Sequence, residues 1–121
     1  MDVSELLIKY QDDKNPICDL YGNTLLHFVA KKESLKNQLQ ICELLINNTE
    51  DKNPSNHKGF TPLHSAATLG HLGVSRLIIK HVKNKNPKAK NGITPLKIAE
   101  MGSYEEICKL IQKAVDSVLF A

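Results

Sequence analysis

At 121 residues, with 41% hydrophobic and 24% charged side chains, the chain has the make-up of one globular module of about 100 to 150 residues, which excludes wholesale disorder. A formal charge of +3 is far from the dense basic patch of a dedicated nucleic-acid binder, and no apolar run approaches the roughly 20 residues that span a bilayer. Cys18, Cys42 and Cys108 form an odd set without a CxxC pair, which signals neither a disulfide framework nor a zinc site and suits a reducing setting, cytoplasmic or nuclear. Met1-Asp2-Val3-Ser4-Glu5 is not the basic start of a secretory leader, so a soluble chain is expected.

In chain order, Glu5-Leu6-Leu7-Ile8 and Asp13-Lys14-Asn15-Pro16 return thirty-eight residues later as Glu43-Leu44-Leu45-Ile46 and Asp51-Lys52-Asn53-Pro54. The chain therefore opens on half of a repeating unit, at about 3–18. The first whole unit begins near Asp19. Its Asp19-Leu20-Tyr21-Gly22-Asn23-Thr24-Leu25-Leu26-His27 stands thirty-seven residues before the matching block of the second unit, and the four extra residues fall around Glu33 to Gln38, between two helical segments.

The second and third units repeat at thirty-three residues, with Asn53-Pro54 to Thr61-Pro62-Leu63-His64 answered by Asn86-Pro87 to Thr94-Pro95-Leu96-Lys97. Each unit reads as turn, helix, turn, helix. Gly22, Gly59 and Gly92 fall where a turn needs φ > 0. Thr61 and Thr94 suit the N-cap with Pro62 and Pro95 at the first helical position, where the missing N–H costs nothing. Thr24 keeps the cap although Leu25 replaces the proline.

The second helix of each unit carries apolar residues at helical spacing: Ile41, Leu44, Leu45, then Val74, Leu77, Ile78, then Ile107, Leu110, Ile111. These three sets are expected to pack as one layer. The last stripe continues through Ala114, Val115, Val118 and Leu119, which predicts an extended final helix whose apolar side caps the stack or, with Phe120, docks elsewhere. A fixed period of this length means stacked supersecondary units, none of which buries its apolar face alone.

Thr61-Pro62-Leu63-His64-Ser65-Ala66-Ala67 followed by Gly70-His71 resembles the ankyrin repeat, and the resemblance runs from about Val3 to Val115. It implies an all-α solenoid of stacked helix-turn-helix units with hairpin-like turns, forming a single domain over 1–121. The half repeat spans about 3–18, repeat 1 about 19–55, repeat 2 about 56–88, and repeat 3 with its cap helix about 89–121. The outer units depart from the pattern: Leu25 and Val29 in the first, and Lys97, Glu100 and Ser103 in the third. Terminal repeats depart in this way because one face lacks a neighbour.

Side chains that could carry chemistry read as scaffold. His27 and His64 share one repeat slot, which points to a ring hydrogen-bonded within the turn region, and His71 belongs to the Gly-His pair. No ligand cluster for a metal lies beside them. Cys42 and Cys108 share a helix slot with Ser4 and Ser75, a position that wants a small side chain and offers no base to activate a thiol. No catalytic residue, cofactor or metal site is assigned, and the chain reads as a non-enzyme.

The positions that change between units are the candidates for binding. The resemblance implies that a partner is held by the turn tips and by the first helices on the concave side. Those places are Leu20, Tyr21, Asn23, Lys31 and Lys32 in the first unit, His57, Lys58, Phe60, Thr68 and Leu69 in the second, and Lys90, Asn91, Ile93 and Met101 in the third. The set holds no acidic residue. Lysines beside Tyr21, Phe60 and Ile93 suggest a protein partner whose acidic segment carries apolar anchors, the aromatics supplying affinity and the lysines steering encounter. The alternative is an assembly unit that dimerises, or joins further repeats, through its end helices. Nucleic-acid binding through the lysines is a third, disfavoured reading, and a monomer or weak dimer is expected.

Overall fold

The computed structural model describes residues 20–31, 37–48 and 52–119. Helices α1 (Leu25–Lys31) and α2 (Gln38–Asn47) form the first unit, α3 (Pro62–Leu69) and α4 (Leu72–His81) the second, and α5 (Pro95–Met101) and α6 (Glu105–Leu119) the third. First helices stack on first helices, α1 on α3 on α5, and second helices on second helices, α2 on α4 on α6. The opening half repeat, Lys32, most of the lengthened connection, and Phe120 lie outside the described residues.

Helix starts follow the local chemistry. Thr61 and Thr94 are extended N-caps with proline directly after them, and their hydroxyls accept the N–H of His64 and Lys97. In the second unit the cap is reciprocal, because His64 Nδ1 accepts the Thr61 N–H at 3.0 Å. A histidine thus performs the part that Glu or Gln plays in a capping box. Helix α2 and α4 end on lysines: Lys52 Nζ donates to Ile46 O, and Lys85 Nζ to Ile79 O and Val82 O. A cation there also favours the negative end of the helix dipole.

Between the helix layers lies a continuous core. Leu25, Leu26, Val29 and Ala30 of α1, Leu63 and Ala66 of α3, and Ala99 of α5 meet Cys42, Leu45 and Ile46 of α2, Val74, Ile78 and Ile79 of α4, and Ile107 and Ile111 of α6. Ala30, Ala66, Ala67 and Ala99 of the first helices are fully buried. The expected packing of Leu44 does not occur: its side chain is 49% exposed. The buried faces of α2 and α4 instead run through Cys42, Leu45 and Ile46 and through Val74, Ser75, Ile78 and Ile79, which leaves Leu44 beyond the edge of the stripe. Leu77 and Leu110, at the same register, are partly buried.

The small-residue slot of the second helices is filled as expected, with Cys42 and Ser75 fully buried. Burial pushes the Cys42 thiol up to about 12, which removes the thiolate that cysteine chemistry needs. Helix α6 is longer than α2 and α4. Its Leu110, Ala114 and Val115 add partial cover to the core.

Buried histidines tie each layer to the next. His27 Nδ1 accepts the Thr24 N–H at 3.0 Å, so its Nε2 carries the proton and donates to Phe60 O at 2.7 Å. His64 repeats the arrangement one layer on, with Thr61 N–H at 3.0 Å and Ile93 O at 2.9 Å. The expected hydrogen bonding of these rings within the turn region is found, and it runs to two turns at once, the ring's own and the next layer's. Turn backbones meet as well: His57 N–H donates to Tyr21 O at 2.8 Å and Lys90 N–H to Lys58 O at 3.0 Å.

Gly59 (φ 82°) sits in that junction, and a Cβ on it would lie 2.8 Å from Lys90 N. Gly92 (φ 85°) has the same conformation with nothing within 4 Å. Ser103 stands in the glycine slot that Gly70 fills in the unit before, at φ 60°. A Cβ at Gly70 would strike the Tyr104 ring at 2.4 Å.

Three expectations concern stability in urea. Gly92→Ala bears the left-handed penalty alone, about 1 to 2 kcal/mol, and Gly59→Ala loses more because the added methyl meets backbone that cannot swing aside; equal losses would refute this account of the junction. Ser103→Gly gains roughly 0.5 kcal/mol, strain relief exceeding the entropy that glycine adds to the unfolded chain. Burial lowers the His64 pKa, only partly offset by its bond to Ile93 O. Between that lowered value and the ordinary one of about 6.5, the unfolded chain binds more protons than the native one. Stability is therefore fully present above the ordinary value and is lost as pH falls through the window. His64→Gln shows a flatter stability profile between about pH 7.5 and 5.5 than the parent protein.

Candidate binding groove

The groove is built by the turns. Asn56 Oδ1 accepts the N–H groups of Lys58 and Phe60 at 2.9 and 3.0 Å, closing the turn that carries Gly59. Its Nδ2 donates to Asn23 Oδ1 at 2.9 Å, so the same side chain fastens neighbouring turns to each other. In the third unit Ala89 replaces this asparagine, and Asn91 Oδ1 takes over by accepting the Ile93 N–H at 3.0 Å. Asn23, Phe60 and Ile93 are thereby held in one column at the foot of the first helices.

These turns and the first helices enclose an open groove of about 540 Å³ lined by Asn23, Asn56, Phe60 and Ile93 from the turns and by His27, Phe28, Lys31, His64, Ser65, Thr68 and Ile98 from the helices. Its floor is the row of interlayer histidines. Phe60 stands edge-on to the His64 ring, centroids 5.2 Å apart at 76°, which fixes the aromatic without burying it. Thr68 Oγ1 donates to His64 O at 2.8 Å. With both nitrogens of His27 and His64 engaged, neither ring offers a free base to a ligand. Among the described lining residues none is acidic, and Lys31 is the one lysine or arginine.

The structure gathers five of the sequence candidates on this groove: Asn23, Lys31, Phe60, Thr68 and Ile93. Leu20 and Tyr21 are exposed at a turn, as are His57, Lys58, Lys90 and Asn91 at the following ones. The His57 ring lies over Gly22, where a Cβ would come within 2.6 Å of its Cδ2. Leu69 is partly buried and Met101 exposed, and neither lines the groove. Lys32 is outside the described residues.

The column Phe28, Ser65 and Ile98 was missed by sequence reasoning. Each follows the repeat's histidine slot directly, at His27, His64 and Lys97. The variation from aromatic to hydroxyl to aliphatic at one register was the available signal. Phe28 is 47% exposed although its helix neighbours His27 and Val29 are buried, because one step along a helix turns a side chain by about 100°.

Among the described residues, no group of three or more His, Cys, Asp or Glu is placed to hold a metal ion, and no helix is long and apolar enough to cross a membrane. None of the curated proteins matches the chain. The family model of ankyrin repeats in three copies matches residues 1–86 and again 26–119. With the period, the caps, the two helix layers and this match in agreement, the chain belongs to the ankyrin-repeat family.

Proposed function

We propose that this chain binds a partner protein through the groove and the turn tips beside it, taking an acidic segment that carries apolar anchors. Ankyrin repeats in general are non-catalytic modules that mediate protein–protein interaction. The observation that carries the finer reading is the lining itself: Phe28, Phe60, Ile93 and Ile98 with Lys31, and no carboxylate among the described lining residues. Half-exposed apolar side chains on a rigid floor suit anchor residues, which supply most binding energy when a pocket excludes water around them.

Lys58 and Lys90 at the tips act on encounter more than on affinity, since rim charges are screened and weakly held. The working unit is one domain with repeats at about 19–55, 56–88 and 89–121, and the reading head is the set of residues that differ from copy to copy.

Peptides of about a dozen residues, displayed on phage and selected on the folded protein, test this reading. Asp and Glu are expected beside Phe, Leu or Ile in the enriched set. Phe60→Ala combined with Lys31→Glu, checked for native helicity, weakens the selected peptides by about tenfold or more, equivalent to about 1.4 kcal/mol. Enrichment without acidic bias, or affinity indifferent to the double substitution, overturns the proposal.

A further inference from the structure

Between Asp51 and Glu100 the chain holds nine lysines and arginines and no aspartate or glutamate, a segregation that the overall charge of +3 conceals. Lys52 and Lys85 are turned onto carbonyls at the ends of α2 and α4, and Lys97 stands in the third unit's histidine slot. The other six, Lys58, Arg76, Lys80, Lys83, Lys88 and Lys90, are exposed. None is in an ion pair with a described residue; the ion pair formed among the described residues, Lys109 with Glu106 at 4.0 Å, lies on α6.

The six follow one path. Arg76 and Lys80 are one turn apart on α4, Lys83 and Lys88 lie in the connection that leaves it, and Lys90 in the next turn bonds by its N–H to the Lys58 carbonyl. Like charges gathered without counterions repel one another, and the free energy of that repulsion favours an anionic partner. The connection is also held in shape: Lys85 anchors it to α4, and Asn86 Oδ1 accepts the Leu96 N–H at 3.1 Å. The cations therefore stand on a fixed backbone.

We infer that the stretch of this band from Arg76 to Lys88 is a second interaction surface, meeting the groove's surface only at the turn tips of Lys58 and Lys90, and that it takes a short acidic segment of a polypeptide. Its extent favours that occupant over a nucleic acid. Glu43 holds the register of Arg76 one layer before, and Glu100, Glu105 and Glu106 are exposed in the unit after. A nucleic-acid backbone carries its charge evenly along its length and would run from the band onto these carboxylates, whereas a short acidic stretch ends within the middle unit. No Phe, Tyr or Trp occurs between Phe60 and Tyr104, so the path from Arg76 to Lys90 offers bases no large aromatic face, only the His81 ring and the Arg76 guanidinium. The inference stands independently of the groove reading.

The test is fluorescence anisotropy with two dye-labelled probes of equal formal charge, an oligoglutamate of about ten residues and a single-stranded oligothymidylate, titrated with the full chain at several salt concentrations. Oligoglutamate is expected to bind at low salt and to be released as salt rises. Joint substitution Arg76→Gln, Lys80→Gln, Lys83→Gln and Lys88→Gln weakens it about tenfold, and Phe60→Ala changes it less than about twofold. If the quadruple variant does not fold, Lys80→Gln with Lys83→Gln gives an intermediate loss. Unchanged binding in the charge variants, or no binding by the parent chain, overturns the inference. Tighter binding of the oligothymidylate overturns it in favour of a nucleic-acid surface. Loss with Phe60→Ala alone overturns it by placing the acidic probe in the groove, an outcome that leaves the proposed groove function standing.

Discussion

A neutral imidazole that accepts a hydrogen bond from its own turn and donates one to the next layer is the interaction on which this stack depends. His27 and His64 each close the start of a first helix through Nδ1 and reach the following turn's carbonyl through Nε2. A ring is well suited to both bonds at once. It is rigid, it has an acceptor and a donor on opposite edges, and as a neutral group it can be buried without the desolvation cost of a charge. The capping of one helix and the spacing of two layers are thereby a single constraint.

Several features of the surface follow from that constraint. Because the imidazoles form the floor between successive first helices, the residues immediately around them are presented at the spacing of the layers. Phe28, Ser65 and Ile98 come from the helices, and Asn23, Phe60 and Ile93 from the turns. Turn geometry is secured by other means, chiefly Asn56, glycine at positive φ and backbone bonds between neighbouring turns. The side chains of Phe60, Ser65, Ile93 and Ile98 make none of these bonds, so their identity can differ between copies. A scaffold with its stability in nearest-neighbour contacts and its specificity in the mismatches is the general economy of repeat stacks.

Charge is distributed by similar logic. Lys52 and Lys85 serve the scaffold as helix-end cations, in equivalent places one period apart. The remaining cations of the middle unit have no such duty, and no carboxylate in their own segment balances them. The protein consequently offers two faces of different character: a groove in which apolar side chains surround one lysine, and a ridge of cations along α4 and the connection to the next turn.

Much of the architecture was legible before any coordinates. Period, caps, glycine positions and the extended final helix are local properties, set by which residues can start a helix, adopt positive φ or repeat an apolar face. Thr61-Pro62, Gly59 and the stripe from Ile107 onward declare themselves without reference to a neighbour. The exposure of Leu44 was not legible, because helical spacing defines a stripe but leaves its edge to the width of the helices that pack against it. The groove was half legible. Variation between copies marked Asn23, Phe60 and Ile93, while Phe28 passed unnoticed beside two buried residues. Which of the variable positions converge on one cavity, and that His27 and His64 bond across layers as well as within them, was decided only when the units stacked. Those contacts join residues about one period apart, and their distances exist only in three dimensions.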